Sequence, residues 1–142
     1  MKKVLTLIFI ERKLKANQDL SKEDVKFLLD NLNANNQVKI DYAFYLCKQN
    51  KKEESLSLIK EILPSLKNEK LFSVCMFLLY NGDEQTFLSS LDMAIKEGHP
   101  KALEIDKFLK EHYSKEEIEN NEVDWRNELI KFSKDYPTSL IN

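Results

Sequence analysis

Residues 84–102 carry the signals of two helices joined by a tight turn, and no other stretch constrains the fold as strongly. The apolar residues of the first segment lie three or four positions apart, which is the spacing of a helix with one buried face. They are Phe87, Leu88, Leu91, Ala94 and Ile95. Gly98 follows them where a left-handed helix cap is expected, and Pro100 stands where a proline opens a helix without losing a needed donor.

The scarcity of turn-forming residues extends this interpretation to the whole chain. Two glycines and three prolines among 142 residues leave too little turn chemistry for many short strands. We therefore predict an all-α fold of antiparallel helix pairs. The length suits a single domain, which we place at residues 1–137, and we expect a flexible C-terminal tail at residues 138–142, after Pro137.

Apolar spacing predicts eight helices, which make four antiparallel pairs. Six of them are expected at residues 4–16, 38–49, 71–80, 84–97, 100–113 and 125–134. The second helix is expected to open after Ser21 and to end at the asparagine-rich stretch 31–36, and the fourth to follow Lys52 and to bury residues as far as Leu66. Ser21 with Asp24 forms a variant of the capping box before the second helix, and Pro64 is expected to kink or end the fourth. The β-branched residues between Val4 and Ile10 suit either a helix or a strand, and both remain open.

The segment 71–79 is almost continuously apolar, which predicts the most buried helix of the fold. Elsewhere the periodicity predicts burial of single residues on one face of each helix. Among these we expect Leu28 and Leu29 in the second helix and Leu103 and Leu109 in the seventh to be buried.

The helix pairs end at a nearly regular interval. The predicted ends at Gln49, Tyr80 and Tyr113 are 31 and 33 residues apart, close to the period of helix-turn-helix repeat arrays. Three small residues, Ala94, Gly98 and Ala102, are four positions apart across one of these joints. Tyr80 and Gly82 precede the helix that leads to it. Residues 80–102 thereby resemble the joint of Sel-type repeats, short relatives of tetratricopeptide repeats. The resemblance implies close packing of consecutive helices in a short α-solenoid, and the alternative is an ordinary helical bundle.

Charge is distributed unevenly along the chain. Residues 1–70 hold fourteen Lys or Arg against ten Asp or Glu, whereas residues 71–142 hold eight against fourteen, so the halves carry +4 and −6. An acidic half repels the phosphate backbone and attracts cationic surfaces. We therefore expect no nucleic-acid partner and predict a basic protein partner for the C-terminal half.

Motifs of catalysis are not found in the sequence. Neither zinc-ligand spacings nor a nucleophile elbow occurs, and two glycines cannot supply a phosphate-binding loop. His99 and His112 are interpreted as structural, and Cys47 and Cys75 as buried reduced thiols of a cytoplasmic protein. We expect no enzyme activity, cofactor or metal. The apolar run at residues 4–10 is too short to span a bilayer, and no membrane partner is expected.

An acidic segment beside aromatic residues is the candidate binding site. Five carboxylates stand against one lysine between residues 115 and 124. Carboxylates steer a basic partner, and an exposed aromatic side chain can anchor it. Asp83 and Glu84, at another joint, can extend the same surface if the helix pairs stack side by side. The predicted partner-binding residues are Asp83, Glu84, Tyr113, Glu116, Glu117, Glu119, Glu122, Asp124 and Trp125.

Two functions of the binding class remain. The first is an immunity protein that neutralises a toxin domain, such as a nuclease, by covering its cationic active site with carboxylates; in size and charge the chain resembles immunity proteins of contact-dependent growth inhibition. The second is a helical-repeat scaffold that holds peptides in a concave groove, which predicts that Tyr42, Tyr45 and Lys48 line the groove. The sequence does not predict the oligomeric state.

Overall fold

The computed structural model describes residues 2–81 and 83–134. Within those residues every regular element is helical, which confirms the predicted all-α class. The contacts group the chain into two compact units, an N-terminal unit described over residues 2–66 and a C-terminal unit described over residues 67–81 and 83–134. The prediction of one domain over residues 1–137 stays a prediction. Gly82, Pro137 and the predicted tail 138–142 lie outside the described residues.

The N-terminal unit is built around its third helix. Its helices are α1 (Lys2–Lys15), α2 (Lys22–Asp30), α3 (Asn36–Lys48) and α4 (Lys52–Ile62). Helix α3 packs against α1, α2 and α4. Ile10 and Leu14 of α1 meet Leu28 of α2 and Val38 of α3 in one buried cluster. The stretch from Val4 to Ile10 is therefore a helix, because its core contacts come three and four residues apart and not alternately.

Two local predictions in the N-terminal unit are confirmed. Ser21 and Asp24 form a complete capping box at the start of α2, in which each side chain accepts the other residue's backbone N–H. Helix α4 ends at Ile62, and Leu63–Ser65 continue as one 3₁₀ turn that contains Pro64. Proline removes a helical hydrogen bond and collides with the preceding turn, so it sets the end of α4.

The C-terminal unit centres on α5. Its helices are α5 (Asn68–Tyr80), α6 (Glu84–Lys96), α7 (Pro100–His112), α8 (Lys115–Glu119) and α9 (Trp125–Phe132). Helix α5 packs against α6 and α9, and α7 packs against both α6 and α9. The predicted burial of residues 71–79 is confirmed, since every residue of that run except Ser73 is buried. An apolar helix with neighbours on several sides has no face left to solvate.

Leu29 and Leu103 are about half exposed, so their predicted burial was wrong. On each helix a neighbouring residue takes the core position. Leu28 is the buried residue of α2, and the buried residues of α7 are Ala102, Ile105 and Leu109. Successive helical residues are about 100° apart, so a side chain directly after the buried one points away from the core.

Four helices end in the same turn, and asparagine replaces glycine in three of them. Gly98 adopts a left-handed backbone after α6, as predicted, with a φ of 76°. Asn17, Asn50 and Asn121 adopt it after α1, α3 and α8. In each turn the N–H one residue beyond reaches back five residues to a helix carbonyl, which is the pattern of the Schellman motif. Asparagine tolerates this conformation better than other non-glycine residues.

His99 ties α7 to α5, which confirms its structural role. Its Nδ1 accepts the Lys101 N–H at the start of α7 (3.2 Å), and its Nε2 lies 2.8 Å from the Glu69 carboxylate. The imidazole ring also stacks on Phe72, with ring centroids 4.4 Å apart. Pro100 takes the first position of α7, as predicted. These contacts position the C-terminal half of the unit, where the candidate site lies.

Candidate functional site

The acidic segment is partly helical, although none of the eight predicted helices covers it. Residues Lys115–Glu119 form the short helix α8. Ser114 caps it: its hydroxyl accepts the Glu117 N–H (3.1 Å), and the Glu117 carboxylate accepts the Ser114 N–H (2.9 Å). This is a capping box, and a serine three residues before an acid was the signal that sequence interpretation missed. Glu117 is therefore held in place by the backbone.

Two other predicted carboxylates also cap helices. Asp124 accepts the Asn127 N–H (3.3 Å) and the Asn127 side-chain amide (2.9 Å) at the start of α9. Asp83 accepts the Thr86 N–H (3.3 Å) at the start of α6. Negative charge at a helix N-terminus is stabilised by the helix dipole. Asp83 and Asp124 thus stabilise helix ends, and these hydrogen bonds fix the orientation of their carboxylates.

The prediction that Trp125 belongs to the binding site was wrong, because its side chain is fully buried. Its ring stacks on Phe87 of α6, with centroids 6.0 Å apart and planes 22° from parallel. The indole Nε1 has no hydrogen-bond partner among the described residues. The spacing to Leu129, four residues on and also fully buried, was the signal for a core position. Trp125 therefore holds α9 against α6 and cannot anchor a partner.

The start of α9 is held next to the end of α5 and touches the first turn of α6 through one ring contact. Besides the ring contact of Phe87 with Trp125, Arg126 donates from Nε to the Leu79 carbonyl (2.7 Å) and from Nη2 to the Tyr80 carbonyl (3.0 Å). The guanidinium satisfies carbonyls at the end of α5 that have no helical donor. The joint that contains Asp83 and Glu84 is thereby placed beside the start of α9, which follows the acidic segment.

An aromatic cluster lies next to the acidic segment, at the end of α7. Phe108 stacks on His112 and on Phe132 of α9, with centroids 4.4 Å apart in both pairs. Tyr113 meets the edge of Phe108 at 6.5 Å and lies 6.2 Å from His112. His112 and Phe132 are exposed, and Phe108 and Tyr113 are half-buried. Phe108 and Phe132 were not among the predicted binding residues, because three- and four-residue spacing does not show where a unit ends.

Tyr113 stands among carboxylates. Its pKa is raised, first by partial burial and then by the charges of Glu128, Asp124 and Glu117. The phenol is therefore neutral at physiological pH and able to donate a hydrogen bond. We call Tyr113, Glu117, Asp124 and Glu128 the acidic-aromatic face. Glu128 is the member that the sequence did not indicate.

The other carboxylates predicted in this segment lie on α8 or shortly after it. Glu116 is exposed on α8. Glu119 is exposed and lies 3.8 Å from the Lys115 ammonium, and the Glu122 carboxylate accepts from the Asn120 amide at 3.4 Å. Exposed pairs of this kind contribute little to stability. The main effect of these carboxylates is therefore to make the electrostatic potential near the acidic-aromatic face more negative.

A second surface lies in the N-terminal unit, between α3 and α4. It is a shallow groove of about 470 Å³. Its walls are Leu32, Tyr42, Leu46, Ser57 and Leu58, and its acidic residues are Glu53, Glu54 and Glu61. Tyr42, predicted to line a groove, does so, whereas Tyr45 stacks on Tyr42 at 6.0 Å and is not in the lining, nor is Lys48.

The most perturbed acid of the N-terminal unit is Asp41 of α3. Its side chain is fully buried, its Oδ1 accepts from the Gln37 amide (3.0 Å), and its carboxyl interacts with the Glu11 side chain. Burial, followed by the neighbouring Glu11 carboxylate, raises the pKa of Asp41 to about 8. Since the group is closed off from solvent, it belongs to the packing of α1 on α3 and not to an open cleft.

The described part of the chain shows neither a metal-ligand cluster nor a membrane-spanning helix. No group of three or more His, Cys, Asp or Glu side chains is arranged to hold a metal ion there. Across residues 2–81 and 83–134, none of the helices has the length and apolar content needed to cross a membrane. Comparison of the chain with protein-family models, with curated proteins and with solved structures gives no match in any of the three.

Proposed function

We propose that the protein is an immunity protein, which neutralises a toxin domain with a basic active site, such as a nuclease, by binding it through the acidic-aromatic face. The observation that carries the proposal is that the charges of the Glu117, Asp124 and Glu128 carboxylates all act on the part-exposed Tyr113 and raise its pKa. A nuclease must bind phosphates, so its active site is cationic and complementary to such a face.

The two components of the face have different roles in binding. The carboxylates attract the basic partner and speed its approach, an effect that falls as salt concentration rises. Tyr113, with Phe108 and Phe132 behind it, offers a rigid apolar surface with one polar end, the kind of residue that contributes most to interface affinity. Arginine side chains of the partner can also lie over these rings.

Pre-organisation is a further argument for this face. Glu117 and Asp124 are fixed by hydrogen bonds to helix N-termini, and Trp125 holds the start of α9 in the core. A side chain that is already ordered loses little entropy when a partner binds. The stretch thus suits tight binding, whereas a mobile acidic loop would lose affinity on ordering.

The test is complex formation with the toxin domain encoded by the gene next to this one. The wild-type protein is expected to form a stable complex and to protect cells that produce the toxin. Tyr113→Ala should weaken the complex about tenfold or more, because it removes a central aromatic anchor. Glu116→Lys combined with Glu122→Lys should mainly slow association and flatten its salt dependence. The absence of both complex and protection would refute the proposal.

A peptide-binding scaffold is the second candidate, and the groove between α3 and α4 favours it. Leucine walls with three glutamates at the groove suit a basic peptide with an apolar anchor. Glu54→Lys provides the reciprocal control, since it changes the groove and leaves the acidic-aromatic face intact. If Glu54→Lys abolishes partner binding and Tyr113→Ala does not, the scaffold replaces the immunity protein as the better proposal.

A further inference from the structure

Helix α1 exposes an apolar surface that its own unit does not cover. The exposed fractions are 61% for Val4, 53% for Leu5, 37% for Ile8 and 55% for Phe9. These are four of the seven large apolar residues found exposed in the described chain. Scattered exposed leucines are ordinary, but a contiguous apolar patch commonly marks an interaction site.

The four side chains share one side of the helix. Positions 4, 5, 8 and 9 recur on one face with a period of 3.6 residues. Ile10 and Leu14 point to the opposite side and are buried in the core of the unit. Helix α1 is therefore apolar on two sides, and only one of them is used by the fold.

Cations flank this patch at both ends of α1. Lys2 and Lys3 precede it in the sequence, and Arg12, Lys13 and Lys15 follow it in the last turn. Glu11 is the one acidic residue in the sequence of α1. Lys13 is already paired with Asp24, at 2.6 Å, whereas Arg12 is exposed and lies over the Phe9 ring at 6.0 Å from its centroid. The partner of the patch must be apolar at its centre and anionic around it.

A second copy of the chain does not meet this requirement. Two α1 helices placed side by side, whether parallel or antiparallel, would bring their cationic ends together. An acidic helix of another protein would need a groove for its apolar face. The groove beside α1 is lined by Thr6, Phe9, Arg12, Lys13, Ala16, Gln18 and Asp24. Only one of the four exposed apolar residues reaches that groove.

We infer that α1 docks on the surface of an anionic phospholipid bilayer, with Val4, Leu5, Ile8 and Phe9 inserted and the flanking cations against the headgroups. A bilayer presents a flat surface that meets a convex helix face without a groove. Basic residues near an anionic leaflet add attraction within a short distance of the surface. The inference goes beyond the proposed function, because its residues lie on α1 and the acidic-aromatic face lies on α7 to α9.

This mode of binding differs from the one that the sequence excluded. The expectation of no membrane partner rested on the length of the apolar run, which is too short to span a bilayer. A helix in the plane of the interface needs an apolar face and not a spanning length. The apolar periodicity of α1 alone did not reveal this exposed face, because the same spacing is equally compatible with burial of these residues in the core.

Sedimentation with vesicles tests the inference directly. The wild-type chain is mixed with vesicles of phosphatidylcholine alone and with vesicles that also contain phosphatidylglycerol. Binding is expected only to the anionic vesicles and should weaken as salt rises. Leu5→Ser combined with Phe9→Ser should weaken it about tenfold or more, because two inserted side chains are lost. Lys3→Glu combined with Arg12→Glu should reduce it by a similar factor.

Matched controls separate insertion from a change of folding. Leu29→Ser removes an equally exposed leucine from α2 of the same unit, and Lys70→Glu reverses an exposed charge on α5. Both should bind vesicles as the wild-type chain does, and all variants should keep its circular dichroism. The inference is overturned if the wild-type chain ignores anionic vesicles, binds neutral ones equally, or binds undiminished after Leu5→Ser and Phe9→Ser. A dimer that these two substitutions dissolve, without vesicle binding, would overturn it in favour of self-association.

Discussion

The two units place apolar and charged groups in opposite ways. The C-terminal unit fills its centre with the apolar helix α5 and the stacked rings of Phe87 and Trp125, and it leaves its carboxylates outside. The N-terminal unit encloses the carboxyl of Asp41 and turns four large apolar side chains of α1 outward. Burying the Asp41 carboxyl costs desolvation free energy. Leaving the apolar side chains of α1 exposed gives up the stabilisation that their burial would provide. The comparison shows that, among the described residues, the C-terminal unit exposes fewer of its large apolar side chains than the N-terminal unit does.

Trp125→Ala is expected to have the largest effect, because it removes the biggest fully buried side chain. The cavity and the lost contact with Phe87 should lower the free energy of unfolding by about 4 kcal/mol. Urea denaturation followed by far-ultraviolet circular dichroism measures the change. Phe132→Ala is the matched control, since its exposed ring should cost about 1 kcal/mol or less. Equal losses in the two variants would show that α9 is not held by its buried face.

Asp41→Asn should change how the stability of the N-terminal unit depends on pH. The folded pKa of Asp41 is about 8 and its ordinary value is 3.8, so between these values the folded state holds a proton that the unfolded state releases. The contribution of Asp41 to the stability of the N-terminal unit therefore falls as pH rises from about 4 to about 8. The neutral amide removes this fall, and at pH 8 the variant should be more stable, by on the order of 3 kcal/mol.

Thermal unfolding at a series of pH values checks this, and Asp24→Asn gives the opposite sign. Burial raises the pKa of Asp24, but the Lys13 ammonium and the hydrogen bonds with Ser21 outweigh it, so the pKa is lowered overall. Its stabilisation is present above the ordinary pKa of 3.8 and is lost as pH falls through the folded pKa. Asp24→Asn should thus destabilise the chain at pH 7. If Asp41→Asn left the pH dependence of thermal stability unchanged, the raised pKa assigned to the buried Asp41 carboxyl would be wrong.

The two capping boxes allow the smallest comparison. Ser21→Ala should cost about 1 kcal/mol, because α2 carries Leu28 into the core of the N-terminal unit. Ser114→Ala should cost only a few tenths of that, because α8 has five residues and none is buried. Urea titrations give both values, and hydrogen exchange of the α8 amides should accelerate in Ser114→Ala. A larger global loss for Ser114→Ala than for Ser21→Ala would reverse the assignment.

The sequence was sufficient for most of the fold. Apart from α8, the helices follow from apolar spacing, and so does the burial of α5. The caps at Ser21 and Gly98 and the break at Pro64 follow from backbone preferences that act over a few residues. Such local rules hold because each residue's neighbours in the helix are also its neighbours in the sequence.

The candidate site was less accessible, because burial depends on residues far away in the chain. Trp125 was interpreted as exposed because it adjoins acidic residues, but Phe87, thirty-eight positions earlier, covers it. Phe108 and Phe132 were not predicted as neighbours of the site, because their contact joins α7 to α9. The proximity of Glu128 to Tyr113 likewise requires α7 and α9 to meet. Nothing in the local pattern distinguishes the inner face of α1 from its outer one.

The asparagines at Asn17, Asn50 and Asn121 have a consequence for the denatured chain. Each accepts a left-handed conformation that glycine would adopt without strain. Glycine, however, would also let the unfolded chain wander through more conformations, and that added freedom opposes folding. Asparagine at these turns therefore costs a small backbone strain in the folded state. It also lowers the conformational entropy of the unfolded chain, which favours folding.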